Sequence, residues 1–199
     1  MVKEVLKKWG KIEKVGYRYV QKNLTFIAPK AYLNILFEPI EDYFKLLENK
    51  YGKRIYPKRY VQFMKETNGC KLFSNSFVIY GIVKYNDEVT PVDINGVNLN
   101  LSLYGVKDCF SFGNIGGKYE LCFKDDSEKV YVLEKEKDKY NLIKELDSVD
   151  YIFDVVLNNL IEEYDSEGHK IHFKKEFKDM PLVVNLSDEL NLFEKEKRN

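Results

Sequence analysis

One stretch constrains the fold more than any other: Ile55–Gly81, IYPKRYVQFMKETNGCKLFSNSFVIYG. Pro57 brings a fixed φ and no amide donor, which suits the first turn of a helix. Tyr60, Phe63, Met64 and Thr67 follow at spacings of three and four, one face of that helix. Asn68-Gly69 ends it, because glycine enters the left-handed conformation that a helix C-terminus often needs. After a short connection, Phe77-Val-Ile-Tyr80 is an apolar, β-branched and aromatic run closed by Gly81, the mark of a buried strand. A helix therefore leads into a strand, and the rest of the chain has to supply both with a core.

A second block supplies the sheet. Phe110 and Phe112 flank Ser111, and Tyr119, Leu121 and Phe123 alternate with Glu120, Cys122 and Lys124. This is the period-two pattern of strands. Gly113 to Gly117 reads as the tight turn between them, Asp125-Asp126-Ser127-Glu128 as a polar connection, and Val130–Leu133 as the next strand. Together they predict an antiparallel meander. The charged run Glu134–Lys139 reads as a solvated hairpin loop and Tyr140–Ile143 as a last strand.

Pro57-x-x-Tyr60-x-x-Phe63-Met64-x-x-Thr67-Asn68-Gly69, with Phe73 and Ile79-Tyr80-Gly81, resembles the helix-to-strand signature of the SUKH superfamily, the SMI/KNR-type domains. The Cys109–Phe123 block with Val130–Leu133 resembles that family's strand, glycine turn, strand, acidic turn, strand region. One departure stands out: family members often carry Gly-Asp after the glycine turn, and here Lys118-Tyr119-Glu120 follows Gly117. The resemblance implies a bacterial immunity protein that binds and neutralises a cognate toxin, often a nuclease or deaminase. It implies, as the alternative, an interaction scaffold like the family's fungal relatives.

Around these blocks the chain reads as follows. Val2 to about Lys14 has helical spacing (Val2, Val5, Leu6, Trp9), and Tyr17–Ile27 alternates loosely as one or two strands. Pro39–Tyr51 predicts an amphipathic helix with Ile40, Tyr43, Phe44, Leu47 and Tyr51 on one stripe, acidic residues in its first turn and Gly52 at its end. Ile82–Tyr85 extends the preceding strand through a kink at Gly81. Asp93 caps either a short helix through Leu103, with Val97, Leu101 and Tyr104 aligned, or a loop holding one helical turn. Ser148 caps a helix with Asp150 in its first turn and a wide stripe of Ile152, Phe153, Val156, Leu157, Leu160, Ile161 and Tyr164. The fold class expected is α+β, a single domain with a mostly antiparallel twisted sheet flanked by helices. The domain spans 37–164, with an N-terminal extension at 1–36 and a C-terminal one at 165–199.

Composition bears on function. Lys plus Arg and Asp plus Glu are 32 each, for a net charge of zero. That lacks the basic excess with which a general nucleic-acid binder displaces counterions. No window approaches the ~20 apolar residues of a membrane span, and no apolar leader stands at the start, so a cytoplasmic protein without a membrane partner is expected. The three cysteines, Cys70, Cys109 and Cys122, read as buried thiols of a reducing compartment.

No catalytic, metal or cofactor set is expected. His169 and His172 form an HxxH pair without further ligands, read as packing or surface. Gly113-x-x-Gly116-Gly117 lacks the GK[ST] ending of a phosphate loop and reads as a hairpin turn. The acidic sets Asp125-Asp126-Glu128 and Glu162-Glu163-Asp165 read as solvated surface. An acidic face has one further use. A toxin acting on nucleic acid has a basic cleft, and a complementary acidic cover gains on-rate and specificity. The partner expected is therefore a toxin domain, held by a monomer through aromatic anchors Phe73, Tyr85, Tyr104 and Tyr119 with Asp125, Asp126 and Glu128 on the rim.

Overall fold

The computed structural model describes residues 12–15, 34–73, 75–83, 90–124, 127–137 and 139–165. Among them, eight strands lie side by side in one sheet in their order along the chain. These are β1 (Ile12–Val15), β2 (Asn34–Phe37), β3 (Cys70–Leu72), β4 (Phe77–Ile79), β5 (Cys109–Ile115), β6 (Tyr119–Lys124), β7 (Val130–Glu136) and β8 (Lys139–Leu146). β1 runs parallel to β2, and every later pair is antiparallel. Helices α1 (Tyr43–Tyr51) and α2 (Lys58–Glu66) connect β2 to β3, and α3 (Ile94–Leu103) connects β4 to β5. After β8 comes α4, which runs Val149–Tyr151, through a π-helical segment Ile152–Val156, into Leu157–Glu162. The α+β class and the mostly antiparallel sheet are as the sequence predicts, and no helix among the described residues is long and apolar enough to cross a membrane.

The sheet buries both faces. On one, Phe110, Phe112, Leu121, Phe123, Val130 and Val132 meet α1, α2 and α4 in the main core. Tyr60 of α2 is its centre: its ring lies 5.3 Å from Phe112 and 5.2 Å from Phe123, and its hydroxyl is 3.1 Å from that of Tyr43 on α1. Phe63 reaches Phe153 of α4 at 5.2 Å. Outside the core, Arg59 ties α2 to α4, pairing with Asp150 at 3.1 Å and with Asp154 through both carboxylate oxygens while lying over the Phe153 ring. On the other face Cys122, Tyr131, Leu133 and Tyr140 pack with Leu101 of α3 and Val106. This is why β7 is buried at four successive residues, Val130–Leu133. A strand covered on both sides need not alternate.

The helix-to-strand junction is built by Thr67, Asn68 and Gly69. The Thr67 hydroxyl lies 2.8 Å from the Phe37 carbonyl and 2.6 Å from that of Gly69, binding α2 to the end of β2. The Asn68 amide donates to the Ile82 carbonyl and accepts from the Ile82 N–H, both at 2.9 Å. Gly69 has φ +80°, and a Cβ there would collide with the Ile79 carbonyl. Glycine is thus required twice over, for its dihedral and for the close approach of two backbones.

Several expectations are corrected. Ile12–Val15, expected as the end of a helix, is a strand, because pairing with Asn34–Phe37 overrides a weak local helical pattern. The sheet thereby takes in β1 and most of β2, upstream of the boundary expected at 37. Helix α1 starts at Tyr43, not Pro39: the Tyr43 N–H bonds to the Ile40 carbonyl at 3.2 Å, and Glu41 and Asp42 lie in that turn ahead of the first helical residue. The connection after Gly69 is itself strand β3, hairpinned to β4. Ile82 and Val83 do not prolong β4. Gly81 instead pairs with Asp93 in a parallel bridge, with its N–H on the Val92 carbonyl. The tight turn is narrower than expected: Gly113–Ile115 belong to β5, and Gly116 and Gly117, both at positive φ, make the turn. Glu134–Glu136 and Lys139 are strand residues, because the β7–β8 ladder runs on to the Glu136–Lys139 pair; the charged side chains add surface ion pairs, Glu134 with Lys118 at 2.7 Å and Glu136 with Lys139 at 3.6 Å. The strand expected within Tyr17–Ile27 and the His169/His172 pair lie outside the described residues.

The stripe of α4 is buried as predicted, but it repeats every four residues: 152, 156, 160, 164 and 153, 157, 161. A 3.6-residue helix rotates such a stripe by roughly 40° per repeat. The wider π turn, with the Leu157 N–H on the Ile152 carbonyl, offsets that drift and keeps the stripe on the sheet.

Candidate functional site

The second face of the sheet carries a cluster of buried and half-buried polar side chains. Strand alternation places Tyr80 after β4, Ser111 and Asn114 on β5, and Glu120 on β6 on this side. The Tyr80 hydroxyl lies 2.7 and 2.9 Å from the two Glu120 carboxylate oxygens and accepts from the Asn114 amide at 2.8 Å. The Ser111 hydroxyl donates to the same carboxylate at 2.7 Å. Burial raises the Glu120 pKa; the hydrogen bonds from Ser111 and Tyr80 and the charge of Lys135 pull it the other way without cancelling the shift. Tyr80 is held neutral by the same burial and by the carboxylate beside it. Tyr140, near Glu120 and Cys122, is pushed up to about 12, chiefly by burial.

Helix α3 roofs part of this face. The Asp93 carboxylate caps it by accepting from the Asn95 N–H at 3.0 Å. So the helical alternative for this segment holds despite Asn95-Gly96. Buried Asn98 then docks the helix on β5: its amide donates to the Ser111 carbonyl at 2.9 Å, and its oxygen accepts from the Ser111 N–H at 2.8 Å. Asn68 and Asn98 thus use one device, an amide side chain bonded to both the N–H and the carbonyl of one residue distant in the chain.

A carboxylate of raised pKa beside a phenol and a hydroxyl is the kind of group that serves acid–base chemistry. Here the four polar side chains are bonded to one another, and what the set does physically is lock β4, β5 and β6 together. The thiols are spent similarly. Burial pushes Cys70 up to about 12 and raises Cys122, which leaves both un-ionised at neutral pH.

The expected contact residues do not converge. Phe73 is fully buried at the β3–β4 turn. Its N–H bonds to the Asn34 side chain at 3.0 Å and its ring stacks on Tyr164 at 5.0 Å, so it is a core residue and not a surface anchor. Tyr119 is likewise in the main core, with the Lys118 ammonium over its ring. Both corrections have one cause: an aromatic next to a turn can point inward, and sequence position does not distinguish the cases. Tyr104 is exposed at the end of α3, its ring 5.9 Å from Tyr140. Glu128 is exposed just before β7. Tyr104 meets the far end of β7, at Lys135. Seven residues of extended chain, roughly 23 Å, separate the two ends. Tyr85, Asp125 and Asp126 lie outside the described residues.

Glu120, Tyr80 and Asn98 are absent from the sequence-based set. Glu120 alternates with apolar neighbours and reads as solvent-facing. The available signal was Cys122, Tyr131 and Leu133 on the same nominally polar face, a set that calls for a cover.

No family model, curated protein or solved structure matches the chain.

Proposed function

We propose that the protein is a non-enzymatic immunity protein of the SUKH (SMI/KNR) type, which binds a cognate toxin domain in the cytoplasm and neutralises it by occlusion. The observation that carries this is the junction at Thr67–Asn68–Gly69. The signature residues Tyr60, Phe63, Met64, Thr67 and Asn68 are all buried there, each with a packing or bonding role in joining α2 to the sheet. A signature that builds the frame leaves the exposed surface open to vary with the partner, as a family of binders against many toxins requires. A nuclease-type toxin domain is the partner class the resemblance implies. Occlusion needs a stoichiometric complex and no turnover.

The test is a co-expression rescue with the toxin domain encoded beside this gene. Growth should be restored, the two proteins should co-purify one to one, and toxin activity in vitro should fall to zero only at an equimolar ratio. Protection at a tenth of that ratio would point to catalysis. An active toxin that is neither bound nor neutralised by the folded protein would remove that pair, and an interaction scaffold with an endogenous partner would then be the better description.

A further inference from the structure

Five large apolar side chains are conspicuously exposed among the described residues, and three of them are on or beside one helix: Leu99 at 61%, Leu103 at 74% and Tyr104 at 40%. Helix α3 turns Ile94, Val97, Asn98 and Leu101 inward, at the spacing of one face. Gly96, Leu99, Asn100 and Leu103 then lie on the outward face. Ile94–Leu103 contains no charged residue at all. A solvent-facing helix normally carries charge on its outer side, whereas the centre of a protein interface is depleted in charge and rich in aromatic contact.

The rim is cationic. The Lys135 ammonium stands 5.9 Å from the Tyr104 ring centre. Lys107 is exposed three residues beyond Tyr104, and Lys137 is exposed at the tip of the β7–β8 hairpin. Among the described residues on the acidic side of the balance, Glu136 is paired with Lys139 and Glu134 with Lys118, and Asp108 is an exposed carboxylate that offsets Lys107 beside it.

We infer that the outer face of α3, centred on Leu99, Leu103 and Tyr104, is the docking surface for a protein partner that presents an apolar ridge edged by carboxylates. The inference rests on the immunity reading and sharpens it. A lysine-edged face is repelled by the basic cleft of a nuclease, so the toxin is gripped on an apolar, acid-edged surface beside the cleft, and bulk excludes the nucleic acid. A second copy of this chain fits less well, because two such rims would oppose each other across a two-fold axis.

The experiment uses the full chain and two probes. The first is the neighbouring toxin domain, titrated against wild type, Leu99→Asp, Leu103→Asp, Lys135→Glu and, as a control on α1, Leu46→Asp, which alters another exposed leucine. Each aspartate on α3 should weaken binding by about 30-fold or more, as expected for a hot spot. Lys135→Glu should slow association and flatten its salt dependence, and Leu46→Asp should bind as wild type. These positions are exposed, so unchanged melting curves verify that the variants fold. The second probe is a displayed library of peptides randomised over Leu, Phe, Asp, Glu, Lys and Ser. It is selected on wild type and counter-selected on the Leu99→Asp, Leu103→Asp double variant. Apolar, acidic sequences that discriminate between the two support the surface even where the toxin does not bind, an outcome that sinks the immunity reading alone. Toxin bound equally by all variants sinks the α3 surface and leaves immunity standing. Neither probe responding sinks both. A wild-type dimer in light scattering that Leu103→Asp dissociates would assign the face to self-association and overturn the inference.

Discussion

The amide of Asn68 makes two bonds to the backbone of Ile82 from a site that is 2% exposed. Replacement by alanine leaves a donor and an acceptor of Ile82 without those partners, and an orphaned polar group costs more than a bond gains. Asn68→Ala is expected to lose about 2–3 kcal/mol of stability, measured by urea unfolding, while Asn100→Ala on the exposed side of α3 stays within about 0.5 kcal/mol. Glu120 gives a different signature. Its folded pKa lies above its unfolded value, so the native state holds the proton more tightly. Its contribution to stability is then fully present below the unfolded pKa of about 4.3 and is lost as pH rises through the folded value. Glu120→Gln keeps the shape and removes the titration. The stability of the variant relative to wild type should therefore climb with pH across that window and then level off. A difference that stays flat from pH 4 to pH 8 would contradict the assignment. The other titratable groups at the cluster do not blur that window: burial raises Tyr80, Cys122 and Tyr140 away from it.

Among the elements, α3 was the least legible. Asn95-Gly96 argues against a helix start, yet the Asp93 cap supplies a partner for the Asn95 N–H, and Asn98 fastens the second turn to Ser111. Neither contact has a local sequence signal; both depend on β5 arriving alongside. Asn98→Ala is expected to loosen this one element more than the molecule. Hydrogen exchange should show lost protection at the Ser111 amide and along Val97–Leu103, with α2 and β6 unchanged. By contrast α2, the β5–β6 hairpin and the stripe of α4 could be read directly, because their period, caps and turn glycines are local. Strand β3 was missed for the same reason that α3 was doubtful. Cys70–Leu72 is three residues long, too short for a period to register, and becomes a strand by pairing with Phe77–Ile79.

At the scale of the whole chain, the sequence carried the fold class and the main core and left the candidate surface mostly hidden. Core residues are marked by what they are, whereas a contact surface is marked by what fails to cover it. Phe73 and Leu103 make the point. The first, an aromatic beside a turn, is buried against Tyr164; the second, an ordinary leucine in an apolar helix, faces outward. The order of the strands has a last consequence. Each described strand pairs with the strands that precede and follow it in the chain, so a ribosome could release the sheet in order, each strand meeting the one made before it. The helix α4 is different: Phe153 covers Phe63 and Phe77, which were synthesised 90 and 76 residues earlier, and Tyr164 covers Phe73. Until α4 emerges, the aromatic floor laid down first stays open, and over that interval the nascent chain exposes its stickiest surface.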